Sequence, residues 1–538
     1  MIGQDLMRPD VHCFTGGSLV LIALLLVPTC STHAATCSVV KHNPPTQADK
    51  AFLAADYAKA ESLYQADLAK DSDDPELVAG LVHAMLHQQK VNDAADAVGS
   101  AIEVAPNSAA LLTLNGEIQL RQGQPWDVEQ TVLKSYKIDP CNPRTRLLFA
   151  RFLQINSRYA TARQQITLAH QFDPEDAEIR LAWILTLPAD QRIPELESYL
   201  SAPAGDDQAT IHQLHTELDR WKKQAAEPAR ACRLVSPMAP ADIPFVNLIA
   251  REHPRAFGLQ VALNGSATRL QIGSVQGGLV VYRSAADRAG LKRLSQPETV
   301  IPGAKPTYAA YADSIKIGSF EFQNCPVTVI DSGSPDDDGD GMIGLDVFSD
   351  FLVTLDYPMH KVQLAQLPGR PAESAPPLPS LKTITAVADD PTANQYDRII
   401  APDMKDYSQI YRMGSNLIVP AVLNNAKVKL FTLDFSLDLP AGHTTISPGV
   451  AMDVTKVHEE DKGWGKMIVA DEITYNFAHM SQKVNGVLAT STSVLSASLG
   501  MDIAGSIGAN TFQFLIMHID YRDGLLKCEY IPNRGYKF

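Results

Sequence analysis

Two segments of this 538-residue chain repeat each other at a fixed distance, and that duplication limits what the chain can fold into. Met342-Ile343-Gly344 is followed by Phe348, Leu355, Asp356 and Tyr357. Ser506-Ile507-Gly508 is followed by Phe512, Ile519, Asp520 and Tyr521, every landmark shifted by 164 positions. The stretch between landmarks, residues 350–355, is apolar and β-prone, so each copy predicts a turn leading into a buried strand. A duplicated β-rich unit implies two lobes of the same design.

Residues 45–230 carry a different periodicity. Ser72, Pro106, Pro140 and Pro174 are spaced by 34 residues. Twelve positions before each lie Ala60, Ala94, Val128 and Ala162, and eight before lie Tyr64, Val98, Val132 and Ile166. The first set is small, as close helix contacts require; the second is apolar, as burial against a neighbouring helix requires. Asp-Pro pairs at 139–140 and 173–174 end one helix and open the next. The pattern resembles tetratricopeptide repeats, four units with further helices through Lys223. Such arrays offer concave surfaces to peptides or helices; a spacer or dimerisation arm is the plainer alternative.

The duplicated landmarks resemble the aspartic peptidase family in its bacterial retropepsin-like branch, over roughly residues 245–538. There each lobe has an Asp-Thr-Gly loop and a later apolar-apolar-Gly triplet that packs beneath it. Met342-Ile343-Gly344 and Ser506-Ile507-Gly508 match those triplets. Laid on the family pattern, the catalytic Asp of lobe 1 is Gly273, with Ser274 and Val275 in place of Thr and Gly. In lobe 2 the position falls on Asp434, with Phe435 and Ser436 following. Asp438 is a rival register, since its distance to Ser447 is the family's; Leu430, Phe431 and Leu433 supply the incoming strand for Asp434. Tyr308 and Tyr311 precede the strand Ile315-Lys316-Ile317 and fit the place of the flap, or else are ordinary strand aromatics.

The departure bears on chemistry. Two carboxylates about 3 Å apart share one proton, so that one activates water while the other protonates the peptide carbonyl. With Gly273 in one lobe, Asp434 has no matching acid. The resemblance therefore implies a peptidase that is poor or inactive as a monomer. Pairing of two second lobes, bringing two Asp434 side chains together, is one route back to a dyad.

Other motifs carry less. Asp331-Ser332-Gly333 mimics a catalytic loop but lies only ten residues before Met342. Asp336, Asp338 and Asp340 alternate like half of a calcium loop, yet Val347 stands where the bidentate Glu is needed, so an acidic turn is expected and no metal. His443 has no serine-type elbow near it and is read as a surface histidine. The 46 basic and 61 acidic residues, a net charge of −15, argue against a nucleic-acid partner. Arg8 followed by the apolar run 18–27 and by Ala34-Ala35 reads as a signal peptide over residues 1–35, too short to span a bilayer. Neither Cys30 nor Cys37 sits in a context that fits a lipid anchor well. The five cysteines beyond residue 35 show no pairwise spacing, and Cys325 and Cys528 read as buried apolar residues.

These readings give a multidomain α + β protein. A tetratricopeptide-like array (45–230) precedes two mainly-β lobes (245–367 and 405–538) joined by a Pro-rich linker (368–404). The expected location is periplasmic or secreted, with no cofactor and no membrane span in the mature chain. Expected partners are peptides or proteins, through the repeats and an inter-lobe cleft lined by Gly273, Ser274, Ser436, Tyr308 and Tyr311. An impaired peptidase that binds peptides, an active endopeptidase working through a homodimer, and a repeat scaffold all remain open at this point.

Overall fold

The computed structural model describes residues 37–71, 74–226, 232–250, 253–273, 277–296, 305–332, 338–369, 397–435, 443–461 and 465–531. The proposed signal segment therefore lies outside the described residues. Among the described helices none is long and apolar enough to cross a membrane.

Helices occupy Gln47–Leu53 through Gln208–Ala226 in antiparallel pairs, and the 34-residue spacing is written in their caps. Asp74, Ser108, Asn142 and Asp176 each N-cap the first helix of a pair. Their side chains accept the N–H of Glu76, Leu111, Thr145 and Ile179, satisfying donors a helix end otherwise leaves open. Pro75 and Pro143 occupy the first turn, where a missing N–H costs nothing. Ala60, Ala94, Val128 and Ala162 are buried at the contacts of the second helices, and Tyr64, Val98, Val132 and Ile166 are buried one turn later. The regularity weakens in the last pair. Helix Ala177–Thr186 stops before Pro188, and helix Ala189–Ser201 carries Pro194 inside it.

The β-rich part begins at Arg233. In lobe 1 the short strand Gly341–Gly344 runs parallel to Ser266–Gly273 and antiparallel to Leu279–Tyr282. In lobe 2 Gly505–Gly508 runs parallel to Lys427–Asp434 and antiparallel to Thr445–Ile446. Both short strands start with a glycine for the same steric reason. A Cβ on Gly341 would lie 2.1 Å from the Val280 carbonyl oxygen, and one on Gly505 2.0 Å from that of Thr445.

A six-stranded antiparallel sheet joins the lobes, in the order Ser408–Gln409, Leu525–Tyr530, Leu515–Asp520, Phe351–Asp356, Lys361–Gln366, Ala241–Pro244. Its central pair opposes Thr354 to His518, residues that are themselves 164 apart. An approximate two-fold axis thus passes between these two side chains, which hydrogen-bond at 2.9 Å. One apolar core runs through both lobes, from Phe257 and Phe320 to Phe431 and Phe512.

The cysteines correct the sequence reading. Cys325 is not a lone buried thiol but bonds Cys232, 93 residues earlier, tying the strand Arg233–Leu234 to Phe320–Ile330. Cys37 and Cys141 are also disulfide-bonded. Cys528 is free and buried, and burial pushes its thiol up to about 12.

The repeats dock on lobe 2. Ile155, Trp126 and Leu120 pack with Ile418, Leu430, Met501 and Ile503, and the Asp502 N–H donates to the Arg121 carbonyl at 2.8 Å.

Gly80 tests the helix packing. A Cβ there would lie 2.4 Å from the Tyr64 ring, so Gly80→Ala should overpack that contact and destabilise the protein by about 1–3 kcal/mol. A thermal melt followed by circular dichroism reads the loss.

Candidate functional site

The strand ladders place Gly273 and Asp434 at the same station. Gly273 pairs with Gly344, and Asp434 pairs with Gly508. The two positions are equivalent in the ladders of the two lobes, one carrying a carboxylate and the other only backbone. The Gly273 backbone is not what forbids a side chain. Its φ lies outside the left-handed region, and a Cβ would meet only the Ile343 carbonyl oxygen, at 3.8 Å. Ser274, Val275, Ser436 and Asp438 lie outside the described residues.

Beyond these positions the loops are braced differently in the two lobes. Both carboxylate oxygens of Asp346 accept the Gly278 N–H at 2.9 Å, and burial raises the Asp346 pKa. The equivalent residue in lobe 2 is Asn510, whose Oδ1 accepts the Thr444 N–H at 3.2 Å. Gly277 lets lobe 2 approach, since a Cβ there would lie 2.8 Å from the Ser415 Cβ. Phe435, at the family's Thr position, is buried with its ring 5.3 Å from Phe512. No hydroxyl is available at that position to bridge the two loops.

A phenol that feels the Asp434 charge, and that sequence reasoning missed, is Tyr357. Its ring lies between Phe257 of lobe 1 and Phe512 of lobe 2. Burial first, and then the Asp434 charge, holds its phenol well above the ordinary value. A phenol so reluctant to ionise can donate a hydrogen bond but is badly matched to proton transfer at acid pH. The signal was in the sequence as the Tyr357/Tyr521 landmark, read there only as a repeat marker.

Residues 259–347 match the family model described as aspartyl protease. Lobe 1 is aspartyl-protease-like. No curated protein matches the chain. Among solved structures, a retropepsin-like aspartic protease from Rickettsia conorii is similar at 16% identity, covering 24% of this chain and 94% of that one, with a TM-score of 0.18. A thermophilic TPR protein of Thermus thermophilus is similar at 16% identity, covering 32% and 95%, with a TM-score of 0.27. A tetratricopeptide repeat protein from Parabacteroides merdae is similar at 13% identity, covering 31% and 68%, with a TM-score of 0.23.

Several expected features of the aspartyl-protease-like lobes sit elsewhere. Tyr308 and Tyr311 do not precede a strand; they lie inside Thr307–Ile317 and are buried. The Arg293 guanidinium covers the Tyr308 ring at 4.0 Å, and Tyr311 pairs across the ladder with Lys292, so both are buried residues of the hairpin that Lys292–Arg293 forms with Thr307–Ile317. Asp331 follows Ile330, which pairs with Tyr282, the end of its strand farthest from the Gly273 loop. It pairs with Arg283 at 2.9 Å. Asp338 and Asp340 are held by Arg269 and Arg288, while Asp336 lies outside the described residues. Among the described residues no cluster suits a metal ion. His443 sits 3.2 Å from the Asn510 amide nitrogen.

Pairing of two second lobes through the strand at the two-fold axis finds no open edge there. Leu515–Asp520 is flanked by Leu525–Tyr530 on one side and Phe351–Asp356 on the other. A dimer that used this strand would have to expel lobe 1, so the intact chain cannot bring two Asp434 side chains together by that route.

The first helices of the repeats carry a charged ladder in which the 34-residue period recurs: His83, Glu117 and Arg151, crossed by Arg144 and Glu178. Burial, the largest influence, raises the Glu117 carboxyl, but the bond and charge of His83 together with the Arg144 charge outweigh it and the pKa is lowered. Burial likewise opposes Arg151 and Arg144 at Glu178, and the arginines win, holding it well below the usual range. The ends of the array also meet. Gly205 N–H donates to the Leu53 carbonyl at 3.0 Å, and the Tyr57 hydroxyl donates to the Gly205 carbonyl at 2.8 Å.

Two outcomes are expected. Gly273→Asp should leave the melting temperature nearly unchanged, while Gly505→Ala, whose methyl would strike the Thr445 carbonyl, should cost roughly 1–3 kcal/mol or more. Because the folded pKa of Glu117 is depressed, its stabilisation is present above the unfolded value of about 4.3 and is lost as pH falls below it. Melts of the intact protein from pH 7 to pH 3 should show that loss, and Glu117→Gln should flatten part of it.

Proposed function

We propose that this is an exported protein of the aspartic-peptidase type whose catalytic pair is broken and whose inter-lobe cleft binds extended peptide segments without cutting them. The observation that carries the reading is the ladder position shared by Gly273 and Asp434. General acid–base hydrolysis by this fold needs a second carboxylate to protonate the carbonyl. Asp434 has a glycine at the equivalent position of lobe 1 and a high-pKa phenol that feels its charge. Binding an extended strand asks less, namely backbone donors and acceptors along a groove. The hairpin of Val457–Asp461 and Lys466–Phe477 corresponds in order to a flap over such a groove. Export is supported by the Cys232–Cys325 disulfide, a bond that persists in oxidising compartments, together with the signal-like N-terminus.

The test is cleavage of a fluorogenic peptide library by the purified mature protein between pH 3 and 8, alongside anisotropy with labelled, uncleaved peptides. The expected result is no turnover with saturable binding. Gly273→Asp alone should not recover full activity, because Val275, Phe435 and Ser436 still alter both loops. Turnover that is independent of protein concentration and vanishes in Asp434→Asn would mean one carboxylate suffices, and the reading would fall.

A further inference from the structure

Lobe 2 carries a cavity of about 720 Å³ that opens widely to solvent, away from Gly273 and Asp434, neither of which lines it. It opens between the edge strand Ser408–Gln409 and the turn joining Lys466–Phe477 to Met480–Ala489. That turn lies at the end of Lys466–Phe477 remote from the flap-like hairpin. The volume suits a small ligand or a short peptide end.

Its lining is divided. Phe477 and Met480 give it apolar surface, while Lys405, Tyr407, His479 and Ser481 border it with polar side chains. The neighbouring acid, Asp406, is engaged by Lys527 at 2.8 Å. The borders therefore offer an ammonium, an imidazole and two hydroxyls to whatever enters.

The turn itself points the same way. Ala478 and His479 have φ of +44° and +63°, the doubly left-handed geometry of a two-residue hairpin, which favours Asn-Gly. The chain uses such residues elsewhere, with Asn264-Gly265 and Asn424-Asn425 in hairpin turns of positive φ. The corresponding turn of lobe 1 uses Gly318, at φ +58°. The turn that rims the cavity instead places Ala and His side by side in that conformation, a geometry the described residues also show singly at Ala55 and His360. Backbone strain of this kind is retained where a side chain is needed in that place.

We propose that this cavity is a second binding site, which takes the carboxylate end of a ligand with a short apolar body. Lys405 and His479 meet the carboxylate and Tyr407 hydrogen-bonds it, while Phe477 and Met480 receive the apolar part. A free peptide C-terminus and a fatty acid share this chemistry.

Calorimetric titration of the intact protein with N-acetyl-Leu-Leu-Phe, with its C-terminal amide, and with decanoate distinguishes them. The expected result is saturable binding of a carboxylate probe, the peptide or decanoate, with the amide at least tenfold weaker than the acid. The tighter of the two carboxylates names the source. Lys405→Gln should weaken that binding about tenfold. His479→Gly should weaken it too while raising the melting temperature, because glycine relieves the turn. Asp434→Asn should leave it unchanged, which separates this site from the cleft. No saturable binding of either carboxylate, equal affinity for acid and amide, or full affinity in both Lys405→Gln and His479→Gly would overturn the proposal.

Discussion

The antiparallel pairing of Phe351–Asp356 with Leu515–Asp520 is the contact on which the β-rich half depends. It makes two copies of a lobe into one sheet and puts the symmetry axis between Thr354 and His518. It fixes the relation between the lobes through main-chain hydrogen bonds, which side-chain substitutions disturb little. It also fills both edges of the second copy's strand. A homodimer that builds its site from two identical chains keeps both halves under one selection. Here each half is free to change alone, and the halves have in fact diverged at the position that matters most, Gly273 against Asp434.

Much of this was legible in the residues. The shift of 164 positions between landmarks located the triplets, while the family pattern and the incoming strand at Leu430–Leu433 pointed to Gly273 and Asp434, whose strands the structure pairs with those triplets. The 34-residue period named the buried positions of the repeats, from Ala60 to Ile166. What escaped has physical reasons. Cys232 lies outside the lobe core and its partner Cys325 is 93 residues away, so spacing carried no signal. The start of the strand holding Tyr308 and Tyr311 was also hidden, because alternation in Thr307–Ile317 is blurred by burial on both faces. Residues that are inside on both sides of a strand lose the period of two on which such a reading relies.

On the proposed reading, the fold outlasts a reaction. The ladder, the steric glycines at 341 and 505, and the loop braces at Asp346 and Asn510 all persist around an incomplete pair. These features hold backbone, and backbone geometry is what a strand-binding groove needs. A carboxylate at position 273 would contribute to a chemical step but little to the packing, so a glycine there is compatible with an intact architecture.

The bond between Gly205 and Leu53 has a mechanical consequence. A stack of helical repeats with two loose ends behaves as a spring and melts from its tips, because each terminal unit has one neighbour fewer than the rest. Joining the last turn to the first pair makes the stack a hoop. Fraying of the first pair is then resisted, the pitch can no longer stretch freely to admit a guest, and anything that opens this junction must break both bonds that Gly205 makes, to Leu53 and Tyr57.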